Sequence, residues 1–100
     1  MKKLIALYKT PDDIDAFLSR YQGGHLPLVA KIPGLISADV TRIDRTLAGP
    51  EAAFLICEMR FADADFGPAL KSPQMAAASA DVELFAKDLV TVMTASALEL

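Results

Sequence analysis

Ile14, Phe17, Leu18, Tyr21, Leu28, Val29 and Ile32 recur at three- and four-residue spacing, a period that one face of a helix produces and a strand does not. His25, the only histidine of the chain, stands on the same stripe, where a leucine would serve for packing alone. The helix has a start, with Thr10 as N-cap, Pro11 in the first helical position, and Asp12 and Asp13 at the positive end of the dipole. It has a stop at Pro33-Gly34, with Lys31 in the last turn. It also has a fault. Gly23 and Gly24 weaken it, and Pro27 has no N–H to donate and crowds the carbonyl of Gly23. Leu26, just before the proline, is biased away from helical dihedrals. A kink or break is expected around His25, leaving backbone carbonyls to find other partners.

Both flanks of this helix read as sheet. Lys3 to Lys9 carries two apolar faces, Ile5 and Leu7 against Leu4, Ala6 and Tyr8, as in a strand covered on both sides. Leu35 to Ile43 has a more polar face, with Ser37, Asp39 and Thr41 opposite Ile36, Ala38 and Val40. Asp44 to Glu51, with Gly49-Pro50, is a loop. Ala52 to Phe61 is a third strand with Leu55, Cys57, Met59 and Phe61 on one side. Glu58 and Arg60 share its other side, where they are expected to pair or to mark the end of the sheet. Asp63 to Leu70 is a short helix with Gly67-Pro68 in its middle. Ser72-Pro73 restarts a helix that runs to Ala86, with Met75, Ala78, Val82 and Phe85 on one face. Asp88 to Ser96 closes the chain as a strand. The order is β-α-β-β-α-β, a ferredoxin-like α+β fold with a four-stranded antiparallel sheet and both long helices on one face. A single domain is expected over residues 1–100.

The composition bears on assembly. Hydrophobic residues make up 53% of the chain, more than a domain this small hides easily by itself. The sheet face away from the helices needs a cover, and a second copy of the sheet supplies it most simply, so a homodimer through that face is expected. The net charge is −3 and the basic residues are scattered, which argues against nucleic acid as a partner. Met1-Lys2-Lys3 and Leu4-Ile5-Ala6-Leu7 mimic the opening of a signal peptide, but Tyr8 and Lys9 end the apolar run early. No stretch is long enough to span a bilayer, so no membrane partner and a cytoplasmic location are expected. With one histidine and one cysteine there is no clustered zinc set, no two-histidine iron site within a chain and no intrachain disulfide. A phosphate-binding glycine loop is also missing, so no metal and no cofactor is expected.

His25 is the first candidate for chemistry. Imidazole titrates near neutrality, and on the sheet-facing side of a kinked helix it could take a proton from a ligand held between helix and sheet. The alternative is a buried neutral ring bonded to a carbonyl freed by Pro27. Tyr21, one turn earlier, could pass a proton to the same ligand or orient the ring, or it could be a core tyrosine with its hydroxyl near the surface. Asp81, beside Val82 and Phe85, could orient His25 and raise its basicity, or stand solvated on its helix. Cys57 reads as a small core residue.

The chain resembles the EthD-like family of the dimeric α/β-barrel superfamily almost end to end. The likeness rests on Ala6-Leu7-Tyr8-Lys9, on Phe17, Tyr21 and His25-Leu26-Pro27-Leu28-Val29, and on Ile32-Pro33-Gly34-Leu35. Ser72-Pro73-Gln74, Ala80-Asp81-Val82 and Phe85 complete it, while Gly24 departs from the polar residue the family often has before its histidine. The resemblance implies a small dimer, a dimeric α/β barrel, associated with the degradation of ethers and aromatics. It implies relatives acting on polyketide-like intermediates as cyclases or oxygenases. Together with the residues, this gives a cofactor-independent enzyme or accessory protein for a hydrophobic carbonyl, phenolic or polyketide-like compound, with catalytic candidates His25, Tyr21 and Asp81. The competing reading is a non-catalytic dimeric module that binds a small hydrophobic ligand.

Overall fold

Alternation along two central strands organises the protein. The computed structural model describes residues 1–99, so that Leu100, the last residue of the expected domain, lies outside the described residues. Strands β1 (Lys2–Tyr8), β2 (Leu35–Arg42), β3 (Leu55–Phe61) and β4 (Val90–Ser96) form one antiparallel sheet in the order β2-β3-β1-β4. In the middle, Leu4, Ala6 and Tyr8 of β1 and Leu55, Cys57, Met59 and Phe61 of β3 are buried beneath the helices. Their neighbours Ile5, Leu7 and Ile56 point to the opposite face and remain partly exposed. This is the expected ferredoxin-like α+β arrangement, a sheet with one layer of helices.

The face without helices has an ordered pattern. The register aligns Asp39, Glu58, Ile5 and Met93 in one row across the sheet, and Thr41, Ile56, Leu7 and Thr91 in the next. Glu58 and Arg60 share this face but do not pair with each other. Glu58 receives Lys3 at 3.4 Å, and Arg60 bonds Asp39 on the neighbouring strand, because cross-strand diagonals bring those opposite charges closer.

The first helical stretch differs from expectation at both its start and its middle. It begins as α1 (Ile14–Arg20), capped by Asp13, whose carboxylate accepts the Ala16 N–H at 3.0 Å. Thr10 is engaged elsewhere, donating its hydroxyl to Glu51 at 2.7 Å, so the cap falls three residues later than the sequence suggests. The kink or break expected around His25 takes the form of a π-helical turn, Tyr21–His25, that leads without interruption into α2 (Leu26–Val29). The Leu26 N–H reaches back to the Tyr21 carbonyl, the five-residue step of a π-turn. Leu26 itself is helical, with φ −57° and ψ −36°. Pro27 falls in the first turn of α2, just after the hydrogen-bond register has changed, where a missing N–H costs little.

The wide turn also aims side chains. Four residues of α-helix overshoot one full turn by about 40°, so Phe17, Tyr21, His25 and Val29 would wind off the sheet if the helix were regular. A turn with more residues removes that drift, and all four residues are buried on the same side. Gly34 then ends the stretch with φ +79°, a backbone state that a β-carbon would strain. After β3 come α3 (Asp63–Leu70) and α4 (Pro73–Ala86). As expected, Ser72 caps α4 and accepts the Met75 N–H at 3.1 Å. Met75, Ala78 and Ala86 lie buried on its inner side, and α4 packs beside α2.

Candidate functional site

Between α2, α4 and the β4 side of the sheet lies a cavity of about 280 Å³. Ala6, Tyr8 and Cys57 form its floor, Val29, Met75, Ala78 and Val82 its helical walls, and Val92 its strand edge. Ser79 and Glu83, both exposed, stand at its rim. The lining is mainly apolar, as ligand cavities usually are. His25 opens onto it from the end of the π-turn.

His25 is 4% exposed, and the polar partner of its ring is a side chain rather than a carbonyl freed by Pro27. Nδ1 lies 2.9 Å from Oδ2 of Asp81 on α4. Arg20, in the last turn of α1, grips the same carboxylate with both terminal nitrogens, Nη1 to Oδ2 at 3.1 Å and Nη2 to Oδ1 at 2.5 Å. Its guanidinium carbon stands 4.7 Å from the centre of the Phe85 ring, a cation–π contact that holds the plane. Phe85 in turn lies 5.4 Å from the His25 ring and Tyr21 lies 5.5 Å from it, centre to centre. The imidazole is thus fixed by one hydrogen bond and two aromatic neighbours.

The electrostatics follow from these contacts. The Arg20 guanidinium, with a smaller contribution from His25, holds the Asp81 carboxyl below its usual range, so Asp81 is ionised and can only accept. Burial is the largest influence on His25 and lowers its pKa from the ordinary histidine value. The Asp81 hydrogen bond and charge oppose that shift, and the Arg20 charge reinforces it. The ring is therefore neutral at pH 7, with its proton on Nδ1 facing Asp81. Nε2 makes no hydrogen bond to the described residues, and the only buried side-chain polar atom without a partner among them is the Tyr21 hydroxyl. His25 lines the cavity, and Nε2 is its one nitrogen without a bond to the described residues.

Of the three residues singled out from sequence, the structure brings His25 and Asp81 into contact and turns Tyr21 elsewhere. The Tyr21 hydroxyl is buried in the core near Tyr8 and Cys57, without a hydrogen bond of normal geometry, and its ring does not line the cavity. Burial pushes the hydroxyls of Tyr8 and Tyr21 and the thiol of Cys57 upward, so all three are protonated at pH 7. Tyr8, not Tyr21, is the tyrosine at the cavity floor.

No family model matches the chain. An EthD family protein from Bacillus halodurans, known from its crystal structure, is 37% identical over 98% of this chain and 99% of its own, with a TM-score of 0.90. The chain belongs to the EthD family. An uncharacterized 11.0 kDa protein from the thcB-thcC intergenic region of Rhodococcus erythropolis is 32% identical over 94 residues, covering 93% of this chain and 91% of its own. A dimeric ferredoxin-like protein of unknown function from Thermobifida fusca shares the fold at 21% identity, with a TM-score of 0.57 over 96% of this chain and 90% of its own.

One member of the site in this EthD-family chain escapes a helical reading of the sequence. Arg20 is five residues before His25, a spacing that regular α-helix does not place on one face. The π-turn brings Arg20 and His25 to the same carboxylate. The available signal was Gly24, whose missing side chain leaves room for a long residue four positions earlier.

Proposed function

We propose that this chain binds a compact, mainly apolar carbonyl or phenolic compound in the cavity beside His25 and moves a proton on it through Nε2. The observation that carries this reading is the unpartnered ring nitrogen at the wall of an otherwise mainly apolar cavity. Neutral imidazole accepts a proton from an acidic C–H or O–H, and the ionised Asp81 steadies the imidazolium that forms. The proton can then return to another atom of the same ligand, so the chemistry needs no further reactant. A cavity of about 280 Å³ suits one substituted ring, since benzene fills an apolar cavity of ~150 Å³. Breakdown products of ethers or aromatics are of this size, whereas a long polyketide-like intermediate would extend past the rim at Glu83.

The working unit in this proposal is a homodimer joined through the open sheet face. Ile5, Leu7, Ile56 and Met93 supply its apolar centre, and the Thermobifida relative, itself described as dimeric, supports the assembly. A second reading, a binding module without catalysis, is favoured by one observation: the Tyr21 hydroxyl is turned away, leaving His25 without a second acid–base group from its own helix.

The test follows the ring signals of His25 by NMR during titration with single-ring phenols and ketones. Because the chain holds one histidine, these signals need no assignment. Shifts confined to particular compounds, followed by loss of turnover but not of binding in His25→Ala, support catalysis. Binding with no turnover of any compound supports the binding module, and a ring blind to every compound overturns both.

A further inference from the structure

Gly23 and Gly24 occupy the same π-turn, and neither has positive φ, so neither is required by its backbone conformation. Their surroundings differ. A β-carbon at Gly23 would meet nothing within 4 Å. One at Gly24 would lie 2.5 Å from Nη1 of Arg20 and 3.3 Å from its guanidinium carbon. The obstructing atoms are the far end of a flexible side chain, so an added methyl would displace Arg20 and leave the helix in place. Gly24 is therefore the seat of the guanidinium, whose other contacts are Phe85 and Asp81, while the Arg20 side chain stays 38% exposed.

We infer that Arg20, seated against Gly24, is a positioning residue that fixes the tautomer of His25 and thereby makes the cavity select neutral ligands with a hydroxyl hydrogen to donate. The inference rests on the cavity being the binding site. Its steps are local. The two-pronged contact with Arg20 holds the Asp81 carboxylate, which can only accept, with Oδ2 against Nδ1, so Nδ1 carries the ring proton. Nε2 is then a lone-pair acceptor facing the cavity, and a phenol or enol O–H satisfies it. A methyl ether of the same shape cannot, and leaves a buried acceptor unpaired.

The other groups around the ring do not compete for this role. Tyr8 and Cys57 on the sheet are neutral and protonated, Glu83 of α4 is exposed at the rim, and Asp81 is the charge bonded to the ring, with Arg20 behind it on the same carboxylate. The Arg20 charge also works against a second proton on the ring.

Nitrogen-15 NMR of the single imidazole tests the tautomer directly at pH 7. The wild type should show a protonated Nδ1 and an unprotonated Nε2. Gly23→Ala should keep that pattern, whereas Gly24→Ala and Arg20→Gln should draw the two nitrogen signals together, with Arg20→Lys between. A proton on Nε2 in the wild type, or the wild-type pattern in Arg20→Gln, overturns the inference. The ligand class is tested with 4-ethylphenol and its methyl ether, 4-ethylanisole. The phenol should bind several-fold and up to about tenfold more tightly, the worth of one net hydrogen bond. That preference should shrink toward parity in Arg20→Gln. Equal affinities in the wild type overturn the ligand class. If neither probe binds, the cavity reading itself fails, while the nitrogen signals still decide the role of Arg20.

Discussion

Nδ1 of His25 lies 2.9 Å from Oδ2 of Asp81, a bond between residues 56 positions apart that ties the π-turn to α4. Asp81→Asn should leave a nearly isosteric group there and remove its charge. The carboxylate supports the protonated ring, so the His25 pKa should fall further in the variant, measured by NMR titration. Loss of the charge-assisted bonds to His25 and Arg20 should also cost about 1–3 kcal/mol in urea unfolding. An unchanged His25 titration would show that the ring does not sense Asp81.

Stability should fall on mild acidification, and the sign follows from the buried neutral ring. The folded-state pKa of His25 lies below its unfolded value, so between the two the unfolded chain binds more protons. The His25 contribution is complete above the ordinary histidine value of 6.5 and is lost as the pH drops toward the lower, folded value. Asp81, also depressed, contributes above the ordinary carboxylate value and is lost as the pH falls through its own folded pKa. Urea unfolding across this range should show two steps, with the upper one absent in His25→Gln. Stability that rises between pH 7 and 5 would instead mean an imidazolium paired with Asp81.

Tyr21→Phe discriminates between a working hydroxyl and a stranded one. The hydroxyl is buried without a hydrogen-bond partner among the described residues, so removing it should be neutral or stabilising by up to about 1 kcal/mol. Ligand response at His25 should survive, because the Tyr21 ring, which packs on Phe17 and His25, is retained. A loss above about 1 kcal/mol would reveal an ordered water bonded to the hydroxyl.

The legible part of this protein was the part governed by period and punctuation. The apolar stripe from Ile14 to Ile32, the alternation in the strands, and Ser72-Pro73 before α4 sufficed for the order of strands and long helices. The π-turn was not legible, because Gly23, Gly24 and Pro27 signal trouble in a helix without saying how it is resolved. That resolution depends on the tertiary gain from keeping Phe17, Tyr21, His25 and Val29 on the sheet. The contact between His25 and Asp81 could be raised as a possibility from residue type alone. Arg20 could not, since its spacing to His25 makes sense only once the turn is wide.

Leu7→Lys should separate the proposed homodimer without unfolding the chain. Leu7 points to the open face, away from the helix-covered core, and aligns with Ile56 and Thr91. A lysine there would sit at the apolar centre of the facing sheets, next to its own copy or a close neighbour. Sedimentation velocity should give a dimer for the wild type and a monomer for the variant. Leu84→Lys, on the outer side of α4 where Leu84 is 81% exposed, should remain dimeric. A monomeric wild type at micromolar concentration removes the assembly.

Ala78→Leu should close the cavity from the α4 side. Ala78 is buried and lines it, and the space beside it receives the larger side chain with little rearrangement. Filling a void restores contacts that its walls lack, while forced overpacking costs ~1–3 kcal/mol, so a change in unfolding free energy within about 1.5 kcal/mol is expected. Compounds that shift the His25 signals in the wild type should no longer do so, although the bonds among His25, Asp81 and Arg20 stay intact. Persistent shifts would place the ligand elsewhere. Two other hollows would then be the places to look, one of about 240 Å³ between Thr10, Arg42, Thr46 and Phe54 and one of about 350 Å³ beside Asp12, Leu84, Phe85 and Leu89. A ligand in the second would act on His25 through Phe85, whereas one in the first could reach the ring only through the aromatic cluster that joins Phe54, Phe17 and Tyr21 to it. Such a relay would move the Tyr21 ring signals first, which separates the two outcomes in one spectrum.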